Sequence, residues 1–153
     1  MSGAGADTEG TALTYAWDLD DDGTFETGVQ NPVFSAAGLD GPTSRTIKLR
    51  VTDAAGLSAV SSATINVSNI APTLSSVTGP VAPQAVGTTV NLTLNYTDPA
   101  GSLDTYTLTT NWGDGTTDNS ASHLYTTPGV YRVRAAVSDD DGGVSNEAFY
   151  EYV

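Results

Sequence analysis

Apolar side chains return at every second position in several short runs of the chain. Ile47, Leu49 and Val51 alternate with Lys48, Arg50 and Thr52; Leu92, Leu94 and Tyr96 with Thr93, Asn95 and Thr97; Val133, Ala135 and Val137 with Arg132, Arg134 and Ser138. Successive residues of a strand face opposite ways, so each run predicts a strand with one wet and one dry face. Thr, Val and Tyr dominate these runs, as pleated half-buried surfaces favour. No window sustains a helical i, i+3, i+4, i+7 spacing, and Gly, Pro, Asn and Asp interrupt the chain at short intervals. The expectation is an all-β chain essentially without helix, including leading strands over Thr73–Thr78 and Thr88–Thr97. Several short strands separated by close turn signals point to two-sheet sandwiches.

A self-comparison gives a domain count. Val51-Thr52-Asp53-Ala54-Ala55-Gly56 aligns with Val137-Ser138-Asp139-Asp140-Asp141-Gly142, Tyr15 with Tyr106, and Trp17 with Trp112. Pro72 in Asn69-Ile70-Ala71-Pro72-Thr73 fixes its own φ and extends Ala71, giving a short stiff connector. Two units are therefore expected, residues 1–69 and 70–153. The first has little sequence before its Asp7–Gly10 turn, so its opening strand is expected to be missing. An edge exposed in that way invites strand addition from a neighbour.

The second half carries Asn111-Trp112-Gly113-Asp114-Gly115-Thr116, then His123-Leu124-Tyr125, Pro128-Gly129-Val130-Tyr131 and Val137-Ser138-Asp139-Asp140-Asp141-Gly142-Gly143. In order and spacing these strongly resemble the PKD (polycystic kidney disease) domain. The first half resembles it more loosely, through Tyr15-Ala16-Trp17-Asp18 and Val51-Thr52-Asp53, with Pro32-Val33-Phe34 where the family has His-x-Tyr. The resemblance implies tandem immunoglobulin-like β-sandwiches of a secreted or cell-surface protein, serving as spacer or binding module without catalysis. Trp17 and Trp112 are expected in the two cores, and His123 as a hydrogen-bonded structural residue. Asp114 is expected to bond its own turn.

Charge narrows the partners. Eighteen Asp and Glu against five Lys and Arg leave a net charge of −13, which repels phosphate backbones and anionic lipid. No nucleic acid and no membrane insertion are expected, since no apolar run approaches the roughly 18 residues of a spanning helix. Without Cys and with one His, any bound metal must be held by oxygen. Met1-Ser2-Gly3-Ala4-Gly5 reads as a start added to an excised fragment, so the missing signal peptide says little about where the parent protein resides.

The sharpest acidic constellation is Asp18-Leu19-Asp20-Asp21-Asp22-Gly23-Thr24-Phe25-Glu26. It fits the first half of the D-x-D-x-D-G calcium loop, in which alternate carboxylates curl round a cation and Gly makes the bend. Asp18, Asp20, Asp22 and Glu26 would offer side-chain oxygens and Thr24 its backbone carbonyl. Val29 stands where an EF-hand has its bidentate Glu, so no EF-hand is predicted. The same residues suit a solvated tight turn. Asp7 and Glu9 with Asp53, and Asp98 with Asp139, Asp140 and Asp141, form further acidic turns. Some PKD-like domains of secreted collagenases bind calcium through similar positions, and these match in part.

The functional expectation is a non-catalytic extracellular binding or spacer module, stabilised by calcium and engaged in adhesion or protein contacts. It would be monomeric, or a strand-swapped dimer through the first unit. The alternative is an accessory module of a secreted hydrolase, touching polysaccharide or protein through Tyr125, Tyr131, Phe149, Tyr150 or Tyr152.

Overall fold

The computed structural model describes residues 1–152, except for the side chain of Tyr152. Eleven strands and one 3-10 turn, Gly101–Leu103, account for its regular structure, so the all-β expectation holds. No helix among the described residues is long and apolar enough to cross a membrane. The chain divides into two compact units, Met1–Ser68 and the residues from Asn69 onward. Asn69 belongs with the second because its Nδ2 donates to Asp139 Oδ2 at 2.7 Å.

The first unit is one antiparallel sheet. Strands β1 (Thr14–Asp18), β2 (Thr43–Thr52) and β3 (Ser58–Val67) lie in the order β1-β2-β3. The register sets Trp17 opposite Leu49 and Leu49 opposite Ser61, so the predicted alternation puts Trp17, Ile47, Leu49 and Val51 on one face. Trp17 and Ile47 are buried, whereas Leu49 and Val51 are only half-buried and nearly all of β3 is exposed. The two-sheet sandwich expected for this unit is not formed: among its described residues there is no second sheet. Pro32-Val33-Phe34 makes no strand, and Val33 is exposed. The opening residues instead lie across the apolar face. Gly3 donates to Gln30 O at 3.1 Å, and a Cβ on Gly3 would stand 2.8 Å from that oxygen and 3.1 Å from the Trp17 ring.

The second unit is a two-layered sandwich. One layer carries β7 (Thr107–Asn111), β8 (Thr117–Asp118), β10 (Tyr131–Ser138) and β11 (Ala148–Tyr152) in the order β11-β10-β7-β8. The other pairs β4 (Thr73–Thr78) with β6 (Thr93–Thr97), and β5 (Thr89–Asn91) with β9 (Ser122–Leu124). The strand expected over Thr88–Thr97 is thus divided at Leu92, where the chain changes neighbours and the Leu92 N–H donates to Ala121 O at 2.8 Å. Leu74, Val77, Val90 and Leu92 from this layer close on Trp112, Val133, Ala135 and Val137 from the other.

Trp112 anchors that core with no exposed surface. Its Nε1 donates to Asp118 Oδ1 at 3.0 Å, and its carbonyl accepts the Tyr125 hydroxyl at 2.8 Å. Burying a ring of this size without orphaning its N–H is what makes Trp tolerable in a core. Gly113 follows with φ +79°, and a Cβ there would lie 2.7 Å from Arg132 O. The Gly-Asp-Gly turn therefore needs its first Gly for close approach as well as for its backbone angle.

Candidate functional site

The acidic hairpin after β1 is wound around its first carboxylate. Asp18 ends the strand fully buried. Its Oδ1 accepts the Asp21 N–H at 2.7 Å and its Oδ2 the Gly23 N–H at 3.0 Å. The turn closes through left-handed backbone at Asp21 (φ 65°) and Gly23 (φ 90°), a region Asp tolerates and Gly adopts freely. Asp22 accepts the Thr24 N–H at 2.7 Å and Glu26 reaches back to the Leu19 N–H at 3.1 Å. One carboxylate oxygen each from Asp18, Asp20, Asp22 and Glu26 then lies within 4.8 Å of the others.

Oxygens on a common calcium stand about 2.3–2.6 Å from it, hence at most about 5 Å apart. Four carboxylates at this spacing fit a single hard cation held by oxygen. A cation of the chain is already present: the Lys48 ammonium bonds Asp21 and lies 3.5 Å from Asp18 Oδ2. Burial pushes the Asp18 carboxyl up, but the Gly23 and Asp21 N–H groups and then the Lys48 charge outweigh it and hold it below the ordinary carboxylate range. The Asp21 bond raises Lys48 in turn. Phe25 turns out of the cluster, half-buried, beneath the Arg50 guanidinium at 4.2 Å.

A second acidic group lies in the second unit. Asp98, Asp104 and Asp139 bring one oxygen each within 4.8 Å of one another, with Asp104 and Asp139 buried. Asp139 accepts the Gly143 N–H as well as the Asn69 amide, and Asp98 Oδ2 is buried without a hydrogen bond. Desolvation and the nearby charges of Asp98 and Asp104 raise the Tyr106 phenol. The sequence brought Asp98 and Asp139 together but missed Asp104, whose signal is its place just past the Gly101–Leu103 turn. Asp140 and Asp141 do not join this group. Asp140 accepts the Thr105 N–H at 2.9 Å instead, and Asp141 sets an oxygen within 4.8 Å of Asp104.

Asp7, Glu9 and Asp53 are likewise not gathered into a three-acid group among the described residues. Asp7 caps its own turn, accepting the Thr11 hydroxyl and N–H and the Glu9 N–H, and these bonds lower its carboxyl. Asp53 accepts the Ala55 and Leu57 N–H groups at 2.9 and 2.8 Å. The Asp53 and Asp139 turns share one construction: each Asp N–H donates to the carbonyl four residues on, and Gly56 (φ 89°) and Gly142 (φ 86°) take the left-handed position.

His123 stacks on Trp112 at 4.9 Å and bonds Asp114 Oδ2 at 2.7 Å, a structural role as expected. Partial burial raises Asp114, yet the Thr116 hydroxyl and N–H, with His123 behind them, bring it down to about 2. Of the aromatic residues expected to meet substrate, Tyr125 is corrected: it is buried against Trp112. Tyr131 stacks on it at 4.1 Å, and Tyr150 packs half-buried against the core. Phe149 is exposed but lies under Arg132 at 4.4 Å. The side chain of Tyr152 lies outside the described residues. Arg50, Arg132 and Arg134 cover aromatic rings, a contact that suits the flat guanidinium.

Comparison with known proteins matches residues 69–152 to the PKD domain family. A PKD domain of an M14-like peptidase from a Thermoplasmatales archaeon is 34% identical, covering 56% of this chain and 97% of its own, with a TM-score of 0.49. The human desmocollin-1 ectodomain aligns over 95% of this chain and 30% of its own at 18% identity and a TM-score of 0.32. Protocadherin gamma B2 extracellular cadherin domains 3–6 align over 92% of this chain and 39% of their own at 12% identity and a TM-score of 0.36.

Proposed function

We propose, since the chain belongs to the PKD domain family, that it is a non-catalytic binding and spacer module of a larger secreted or cell-surface protein, stiffened by calcium at its acidic hairpin. The observation that carries the metal is the convergence of Asp18, Asp20, Asp22 and Glu26 within 4.8 Å, with the Thr24 carbonyl as a further ligand. Such crowded charge repels itself strongly unless a cation bridges it. Asp98, Asp104 and Asp139 are the second candidate. The module is a tandem of two related units, a reading supported by the common construction of the Asp53 and Asp139 turns. It acts as a monomer in adhesion or protein contacts.

The test is thermal melting in calcium and in chelator, with calorimetric titration of calcium. A raised midpoint with saturable heat supports the reading. Identical midpoints and no heat remove the metal.

A second reading is favoured by the 34% identity to a PKD domain of a peptidase: an accessory module that holds a protein or polysaccharide substrate for a hydrolase on the same chain. Retention of the protein on insoluble collagen, cellulose or chitin, lost on Phe149→Ala, would favour this reading over the spacer.

A further inference from the structure

All the Lys and Arg of the second unit lie on one strand, since from Asn69 onward the chain has only Arg132 and Arg134. Both belong to β10, where Val133, Ala135 and Val137 enter the core and the alternation turns the two arginines out to solvent. Register sets their neighbours on that outer face: Phe149 and Asn111 flank Arg134, and Glu151 stands opposite Arg132. The two guanidiniums gather over one ring, 4.4 and 5.6 Å from the centre of Phe149. Among the described residues neither forms an ion pair. Stacking occupies the flat face of a guanidinium and leaves free the N–H fork at its rim, which is the part that matches a carboxylate. Phe149 thus serves as a support that holds two forks side by side.

We propose that the outer face of β10 and β11 takes an extended acidic segment of a partner protein, with carboxylates at alternate positions as in Glu-x-Glu. Arg132 and Arg134 stand two residues apart on a strand, about 7 Å, and alternate side chains of an extended peptide repeat at the same distance. One carboxylate therefore meets each fork. The chain as a whole is acidic, but screened charge acts locally. The Asp139–Asp141 turn lies about 17 Å or more from Arg134 along β10, beyond the Debye length of about 8 Å at physiological salt. Glu151 is the near carboxylate, and it holds the affinity down. This inference goes beyond the spacer and substrate readings, because it needs neither calcium nor a polymer.

NMR titration of the isotope-labelled full chain, in chelator, with the capped peptide Thr-Glu-Thr-Glu-Thr tests it. Saturable shifts are expected at Arg132, Arg134 and Phe149, with the first unit unmoved, and binding weakens as salt is raised. Replacing either Glu of the peptide by Gln weakens binding by up to about fivefold. Placing the two side by side, in Thr-Thr-Glu-Glu-Thr, weakens it as well, because neighbours on an extended chain face opposite ways. Arg132→Gln with Arg134→Gln abolishes binding. Glu151→Gln strengthens it, a gain that a misfolded variant could not show. No shifts at millimolar peptide, shifts confined to the first unit, equal shifts with an all-Gln peptide or equal binding of the adjacent pair overturn the proposal. So does tighter binding of an oligogalacturonate, because a glycan would then be the occupant. The calcium-induced melting shift is measured separately, so the spacer reading and this one can each fall alone.

Discussion

The two units spend similar sequence patterns in different ways. In the second, the alternating face Val133, Ala135 and Val137 is closed by a facing layer, and each of the three is at most 2% exposed. In the first, Leu49 and Val51 belong to an equally regular alternation yet stay half-buried, because only the opening residues lie over them. Alternation specifies which face is dry; it does not supply the layer that dries it. The organised polar chemistry of the first unit lies instead at its hairpin tip, where buried Asp18 gathers N–H groups, Lys48 and neighbouring carboxylates.

This contrast predicts two separable melting transitions, and the largest effect should come from the core anchor. Trp112→Ala removes a fully buried ring and its Nε1 bond to Asp118. A loss of about 3–5 kcal/mol is expected in the second unit, with the first transition unmoved. Trp17→Ala costs less, because its face is already partly open. Calorimetry of both variants breaks the comparison if the two losses are equal. Calcium should act the opposite way. At a hundredfold excess over Kd it adds about 2.7 kcal/mol, on the order of 10 °C for a unit of this size, to the first transition. Asp20→Asn with Asp22→Asn should erase that shift while leaving the calcium-free midpoint unchanged or higher.

Much of this was legible before any coordinates. The alternation at Ile47–Val51 and Val133–Val137 gave strands on the right faces, and Trp112, His123 and Asp114 came out as structural. What escaped was set by neighbours distant in sequence. The interruption at Leu92 arises because β4 and β9 claim different ends of one extended stretch, and neither claim is written in residues 88–97. Trp17 and Trp112 align by eye, but the pairing register does not make them equivalents. Trp17 sits opposite Leu49, whereas Trp112 falls beyond the last β7–β10 pair, Arg134 with Asn111. Tyr125 was taken for a surface ring because period two assigns faces only within a strand, and Tyr125 lies just past the end of β9. Among the acids, spacing found Asp18, Asp20, Asp22 and Glu26 because they share one turn. Asp104 was invisible because folding alone brings it to Asp98 and Asp139.

A smaller effect is read through pH. Asp114 has its carboxyl at about 2 in the folded chain against 3.8 unperturbed. Its contribution is therefore fully present above about pH 4 and disappears as pH falls toward 2. Because the side chain is partly in water, the expected loss is only about 1 kcal/mol after screening. It should appear in the second transition. Thr116→Val, which removes one of the bonds holding the carboxylate, should flatten the acid limb of that transition. An unchanged slope would mean that the turn does not depend on the ionised form.

The finest distinction concerns Lys48, which stands at the hairpin as a cation built into the chain. If the cluster is merely a solvated turn, Lys48→Met removes a partly exposed ion pair and costs little, with calcium irrelevant before and after. If the cluster holds calcium, the ammonium beside Asp18 and Asp21 repels the incoming ion, and its removal relieves that repulsion. The variant should then be slightly less stable in chelator, bind calcium more tightly and show a larger calcium-induced shift than the parent chain. Both explanations predict the small loss in chelator. Only the metal site predicts that the sign reverses when calcium is added, so comparing Lys48→Met with the parent under both conditions decides between a turn and a ligand set.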